Sequence, residues 1–300
     1  MSSGAAISVQ NPPTAVTRSY VYNAYQELCK IVEPETGSTV MAYDAANNLS
    51  WSASGLALPS LASCDTGDAS VAARKVMRTY DPRNRLDTVS FPDNRGNTTY
   101  DYTLDGLVSS VAAMDGTNTV TRNYSYNAKR LLTNEQMLFG AINWNIGYAY
   151  NSNGHLASQS YPGTLTVDYA PNALGQPTKA GTYATGVTYY PNGAIHSFTY
   201  GNGIVHSMDQ NDRQLPDRSW DVYGTDPAVH DDSYAYDGNG NVVAISDGRA
   251  GNRGDRDMAY DGLNRLTSAT SVGMWNGTYS YTYDVLDNIQ TVGEPGASAL

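Results

Sequence analysis

Lysine is scarce in this 300-residue chain: Lys30, Lys75, Lys129 and Lys179 are the only four, against a formal net charge of −11. No basic stripe is available to follow a phosphate backbone, so nucleic acid is disfavoured as a partner, and an anionic membrane surface for the same reason. Two cysteines, Cys29 and Cys64, are too few for a disulfide framework; they either pair in an exported protein or stay inert. No apolar run approaches the ~20 residues of a membrane-spanning helix, so no membrane insertion is expected. The first residues lack the basic and apolar regions of a Sec-type leader. Phenylalanine is nearly missing, with 3 copies against 24 tyrosines. Most large rings therefore carry a hydroxyl that needs a partner once buried.

What the chain has is a phrase used about twelve times. Its clearest copies are YDAANNL from Tyr43, YDPRNRL from Tyr80 and YDGLNRL from Tyr260. The leading tyrosines are Tyr22, Tyr43, Tyr80, Tyr102, Tyr126, Tyr150, Tyr169, Tyr189, Tyr236, Tyr260 and Tyr283, with a further copy starting at Met208. A period near 20 residues makes a quasi-one-dimensional array in which each unit packs on its neighbours. The array runs over 18–292, between an N-terminal tail (1–17) and a C-terminal tail (293–300). Two longer intervals predict excursions near 53–75 and 215–233.

Each unit reads as a β-hairpin. In 233–246 (SYAYDGNGNVVAIS), Tyr234 and Tyr236 alternate with Ser233 and Ala235, which puts both rings on one strand face. Asp237 to Asn241 supplies turn chemistry, and Val242 to Ile245 returns. On the return strands apolar residues recur three apart, as in Leu86 and Val89 or Ile289 and Val292. A bulge after the turn brings such a pair onto one face. The fold class is all-β. About 24 strands at ~4.8 Å each make a sheet too wide to stay flat, which predicts a curved or spiral wall around a cavity.

These residues resemble the YD-repeat, or Rhs (rearrangement hot spot), family. The similarity is carried by YDGLNRLTSAT (Tyr260 to Thr270), YDPRNRLDTV (Tyr80 to Val89) and YDGNGNVVAI (Tyr236 to Ile245). The resemblance implies a β-sheet shell like those that enclose a toxin domain in bacterial Rhs and insecticidal toxin-complex proteins, or that sit in teneurin cell-surface receptors. It implies a non-catalytic scaffold, secreted or at the cell surface as part of a larger protein. Its partners would be a polypeptide guest or further YD repeats. Family members that cut themselves carry Asp-Pro-x-Gly-type motifs. Here Asp81-Pro82 and Asp226-Pro227 lack the glycine, so neither autoproteolysis nor toxin activity is carried over. The short sequence after Val292 is expected of a shell segment or of a truncated gene product.

Chemistry outside the repeat is sparse. Asp65-Thr66-Gly67 matches an aspartic-protease tripeptide, but a second copy to share the proton is missing. Asp237-x-Asn239-x-Asn241 opens like a calcium loop, then has Val242 and Gly248 where glycine and a bidentate glutamate belong. Arg253-Gly254-Asp255 is an isolated match in a charged loop. The four histidines lack zinc spacing, and His155 sits in the polar slot of a repeat. No catalytic residue, cofactor or metal site is assigned. The alternative function is a carbohydrate-binding or adhesion module, for which Trp220, placed in the second long excursion, is the candidate surface contact.

Overall fold

The computed structural model describes residues 17–249 and 253–296. The tail expected at 1–17 and the end of that at 293–300 fall largely outside the described residues. The described chain is all-β, with 23 strands and one four-residue helix, α1 (Ala69–Ala72). The strands come in hairpins: β1 (Ser19–Tyr22) and β2 (Leu28–Glu33), β3 (Gly37–Tyr43) and β4 (Leu49–Leu56), β5 (Val76–Tyr80) and β6 (Leu86–Ser90), β7 (Arg95–Tyr102) and β8 (Val108–Asp115), β9 (Asn118–Tyr126) and β10 (Leu132–Phe139), β11 (Ile142–Tyr150) and β12 (Leu156–Ser160). The short β13 (Thr166–Asp168) follows. Then come β14 (Ala184–Tyr189) and β15 (Ile195–Tyr200), β16 (Val205–Gln210) and β17 (Pro216–Val222), β18 (His230–Tyr236) and β19 (Val242–Asp247), β20 (Arg256–Tyr260) and β21 (Leu266–Ser271), and β22 (Gly277–Tyr283) and β23 (Ile289–Gly293). Hydrogen-bonded order follows chain order, β1 to β13 in one antiparallel sheet and β14 to β23 in another. Two compact units meet in sequence at Gly147 and Tyr148.

The predicted bulge recurs in ten hairpins. Tyr80 stands opposite Leu86, but Thr79 stands opposite Thr88, so Asp87 is the extra residue. Arg78 then faces Val89. Tyr80 and Arg78 are two apart and share a face, so Leu86 and Val89 share one as well. The spacing of three in the sequence is thus a strand of period two with one residue inserted.

Sheet continuity breaks after β13, where a single run of strands was expected. The turn in this unit starts at Asn172, whose N–H donates to the Gln176 carbonyl. Pro171, not Tyr169, therefore holds the position before the turn. Pro177 takes the slot filled by leucine or valine elsewhere and has no N–H to give a ladder. The link there runs through irregular backbone: the Thr178 N–H reaches the Tyr169 carbonyl (3.0 Å) and its carbonyl accepts from Val187 (2.9 Å), while the Gly181 N–H donates to the Asp168 carbonyl (2.8 Å).

The two expected excursions have different outcomes. Residues 57–75 are a true excursion, folded back onto β2–β4 and carrying α1. Residues 215–233 are not a loop: they hold β17 and the start of β18, joined by 223–229. In the copy starting at Met208 the turn begins at Asn211 (N–H to the Leu215 carbonyl, 2.9 Å), so Gln210 takes the tyrosine position, opposite Pro216.

Candidate functional site

The repeated phrase builds one small polar device many times. In the unit at Tyr80, the Asp81 Oδ1 accepts from the N–H groups of Arg83 (2.8 Å) and Arg85 (3.0 Å). Asn84 adopts a φ of 57°, which asparagine and glycine tolerate best. That is why the fourth position after the tyrosine favours those residues. The polar slot then locks the turn: the Arg85 Nε donates to the Asp81 Oδ2 at 2.7 Å. Asn48 on Asp44, Asn241 on Asp237, Arg265 on Asp261 and Asn288 on Asp284 repeat that bond. Where the turn opens with asparagine, the polarity reverses: Asn23 donates to Glu27 (2.6 Å) and Asn172 to Gln176 (2.8 Å). Hydrogen bonding to Arg85 holds the Asp81 carboxyl below the usual carboxylate range, and bonds to Asn241 and Asn288 do the same for Asp237 and Asp284. The supposed calcium-loop residues Asp237 and Asn241 are thus occupied by their own turn.

The leading tyrosines join one hairpin to the next. Tyr43, Tyr80, Tyr102, Tyr126, Tyr189, Tyr236, Tyr260 and Tyr283 donate their hydroxyls to the carbonyls of Leu28, Leu49, Leu86, Val108, Pro177, Pro216, Val242 and Leu266, at 2.6 to 3.0 Å. Each acceptor is the first residue after the preceding turn. Arginines in the polar slot also cover the following ring: Arg85 lies 4.1 Å from the Tyr102 centroid and Arg265 4.6 Å from that of Tyr283. Burial pushes the hydroxyl pKa values of Tyr102, Tyr126, Tyr189, Tyr236 and Tyr260 up. Tyr150 ends β11 just before the Asn151 turn, the position the phrase predicts. Tyr169, displaced by two residues, instead donates to the Gln159 Oε1 (3.1 Å). The leading tyrosines thus form a ladder between hairpins whose rungs are bonds from hydroxyl to backbone.

The excursion at 57–75 is clamped to the sheet. Cys29, the bulge residue of β2, forms a disulfide with Cys64. Lys30 has no exposed surface; its Nζ donates to the Ser60 carbonyl (2.6 Å) and pairs with the Asp65 Oδ2 (2.5 Å). That hydrogen bond lowers the Asp65 pKa. Asp65, the only protease-like aspartate, is therefore the counter-ion of a buried lysine. Val71 of α1 completes an apolar cluster with Val40, Ala53 and Leu56.

A second polar cluster ties β17 to β20. Arg218 makes a two-pronged contact with Asp231 (2.7 and 2.9 Å). Arg253 bridges Asp232 (2.9 Å) and Asp247 (3.3 Å), and Arg256 also reaches Asp232 (2.8 Å). Asp255 accepts from the Asp247 N–H (2.9 Å). Arg253 and Asp255 are thereby turned into the cluster, so the Arg-Gly-Asp tripeptide is structural. Trp220 lies on β17 between Ser207 and Asp231, half-buried, with the Arg218 guanidinium 4.7 Å from its ring. It is a strand residue under an arginine, not the tip of a loop. Beside the sheet break, an apolar groove of about 290 Å³ is lined by Tyr169, Pro177, Val187, Tyr189, Ile195 and Phe198, among others. Among the described residues no group of three or more His, Cys, Asp or Glu side chains is placed to hold a metal ion.

No family model and no curated protein matches the chain. Its backbone is similar to solved structures of toxin complexes. One is the Photorhabdus luminescens Tc holotoxin pore, with a TM-score of 0.62 at 14% identity over 92% of this chain and 17% of that one. Another is TcdB2-TccC3, with a TM-score of 0.57 at 15% identity over 93% of this chain and 16% of that one. TcdB2-TccC3 without its hypervariable C-terminal region gives 0.56 at 15% identity, with the same coverage. The chain thus spans about a sixth of the length of the chains it matches. The fold is of the Rhs/YD-repeat shell type.

Proposed function

We propose that this chain is a non-catalytic stretch of wall, a scaffold that encloses or presents an associated polypeptide such as a toxin or effector. The observation that carries the reading is where the polar side chains go. The aspartates of the phrase close turns, the leading tyrosines bridge hairpins, and the isolated motifs Asp65 and Arg253–Asp255 are spent on internal contacts. The resemblance of the backbone to Tc toxin structures supports the same role. The disulfide supports an oxidising location outside the cytosol.

The test is limited proteolysis of the native protein that carries this chain, followed by mass spectrometry. The associated polypeptide is expected to resist cleavage until denaturant unfolds the wall. Cleavage at the rate of an unstructured control, with the wall still folded, would overturn the reading.

A further inference from the structure

We propose that the break between β13 and β14 is a hinge, about which the hairpins on its two sides turn as rigid blocks. The break lies inside the second compact unit, with described strands before and after it. Strand pairing runs up to β13 and starts again at β14, and among the described residues no ladder pair joins these two. Elsewhere neighbouring hairpins are joined by paired strands; β8 and β9, for example, share six residue pairs in unbroken register.

Into this gap the chain feeds residues 177–181 as a strap. On the β13 side, the Thr178 and Lys179 N–H groups share the Tyr169 carbonyl (3.0 and 3.3 Å), and the Gly181 N–H reaches the Asp168 carbonyl (2.8 Å). On the β14 side, the Val187 N–H and the Tyr189 hydroxyl donate to the carbonyls of Thr178 (2.9 Å) and Pro177 (2.6 Å). The ion pair of Lys179 with Asp168 (2.7 Å) is partly exposed on both partners, so it adds little rigidity. Meanwhile β13 stays on β12, and β15 on β16, through ladders of their own.

The backbone bordering the strap is of the kind that absorbs rotation. Ala170 has a φ of 40°, a left-handed conformation that is costly for a residue with a Cβ, and Gly181 and Gly186 have φ values of 55° and 65°. A Cβ on Gly186 would meet nothing within 4 Å, and one on Gly181 would make only ordinary contacts. These glycines therefore serve the backbone rather than close packing. Register against β15 shifts on either side of Gly186. The side chains leave room as well: the apolar groove of about 290 Å³ is lined by Tyr169 and Pro177 from the chain before β14 and by Val187, Tyr189, Ile195 and Phe198 from β14 and β15. An interlocked interior resists rotation, and an open groove removes that resistance at this joint.

Hydrogen exchange at single amides and spin-label distances, both in the full chain, test the proposal together. The amides of Thr178, Gly181 and Val187 should exchange about a hundredfold faster than those joining β8 to β9, as expected of a joint weaker by about two hydrogen bonds. Nitroxide labels on Ser160→Cys and His196→Cys, exposed sites on β12 and β15, span the break. Labels on Asp87→Cys and Arg122→Cys, exposed sites on β6 and β9, are equally far apart in strand order without a break between them. Each labelled chain is checked for folding by circular dichroism. The distance distribution across the break should be about twice as broad as the other. Amides at the break that exchange as slowly as those of β8 and β9 would overturn the proposal. So would fast amides with a narrow distance across the break, which would mean a strap that frays within a rigid wall.

Discussion

The hydroxyl of Tyr102 donates to the carbonyl of Leu86, 2.7 Å away, and Leu86 is the residue paired with Tyr80 in the hairpin before. One tyrosine thus fastens its own hairpin to the turn of its neighbour. Burial at this site is partial, so the bond is made without the cost of fully enclosing a ring.

Replacing Tyr102 with Phe keeps the ring and removes the donor. The expected loss is about 0.5–1.5 kcal/mol, a fall of a few degrees in Tm, measured by thermal unfolding. The same change at Tyr25, which is 85% exposed and outside the ladder, should leave Tm unmoved. Equal effects at both positions would show that the ladder contributes nothing.

The ladder also predicts alkaline behaviour. Burial raises the folded-state pKa values of Tyr102, Tyr126, Tyr236 and Tyr260 above the ordinary tyrosine value. The stability linked to their neutral hydroxyls is complete below about pH 10 and is lost as pH rises through the raised folded values. An ultraviolet titration of tyrosinate should show a late-ionising class that merges with the early class in denaturant.

Acid acts on the turns with the opposite sign. The carboxyls of Asp81, Asp237 and Asp284 titrate below the ordinary aspartate value because side-chain bonds from Arg85, Asn241 and Asn288 favour the ionised form. Their contribution is present above about pH 4 and is lost as pH falls through the lowered folded values. Asp81→Ala should flatten part of the acid limb of a stability–pH profile. The paired change Asp237→Asn with Asn241→Gln, which copies the reversed polarity of Asn172 and Gln176, should retain more stability than Asp237→Asn alone.

The clamp on residues 57–75 has its own test. The disulfide spans a sequence separation of 35, for which chain entropy gives about 4 kcal/mol. Cys29→Ser with Cys64→Ser should lower stability by up to that amount. It should also speed proteolysis within 57–68, read by mass spectrometry, with little change at the turn of Tyr260 and Asp261. Unchanged cleavage would mean that Lys30, Asp65 and Val71 hold the excursion unaided.

Local structure was legible in the sequence wherever the phrase was complete. Tyr80, Asp81 and Leu86 foretold strand, turn and bulge, because each follows from turn chemistry or strand periodicity. The ladder's acceptors were not legible, since they are main-chain carbonyls one unit away and leave no mark in residue identity. Gln210 in the tyrosine slot hid a regular hairpin and made β17 and its Trp220 look like a loop. Tyr169 misled in the reverse way, by standing two residues ahead of Pro171. The pairing of Cys29 with Cys64 and of Lys30 with Asp65 depends on how an irregular excursion folds back, which no periodic rule encodes.

The bulge has a consequence for how such a protein can change over generations. Five residues separate each leading tyrosine from its partner beside the bulge, as in Tyr80 and Leu86 or Tyr260 and Leu266, and altering that number would throw the following strand out of phase. The connections between one hairpin and the next obey no such rule, running from two residues at 116–117 to nineteen at 57–75. One margin of the array is therefore frozen in length, while the other can accept new segments without disturbing any pairing. Diversification should accumulate on that permissive margin, where the clamped excursion already stands.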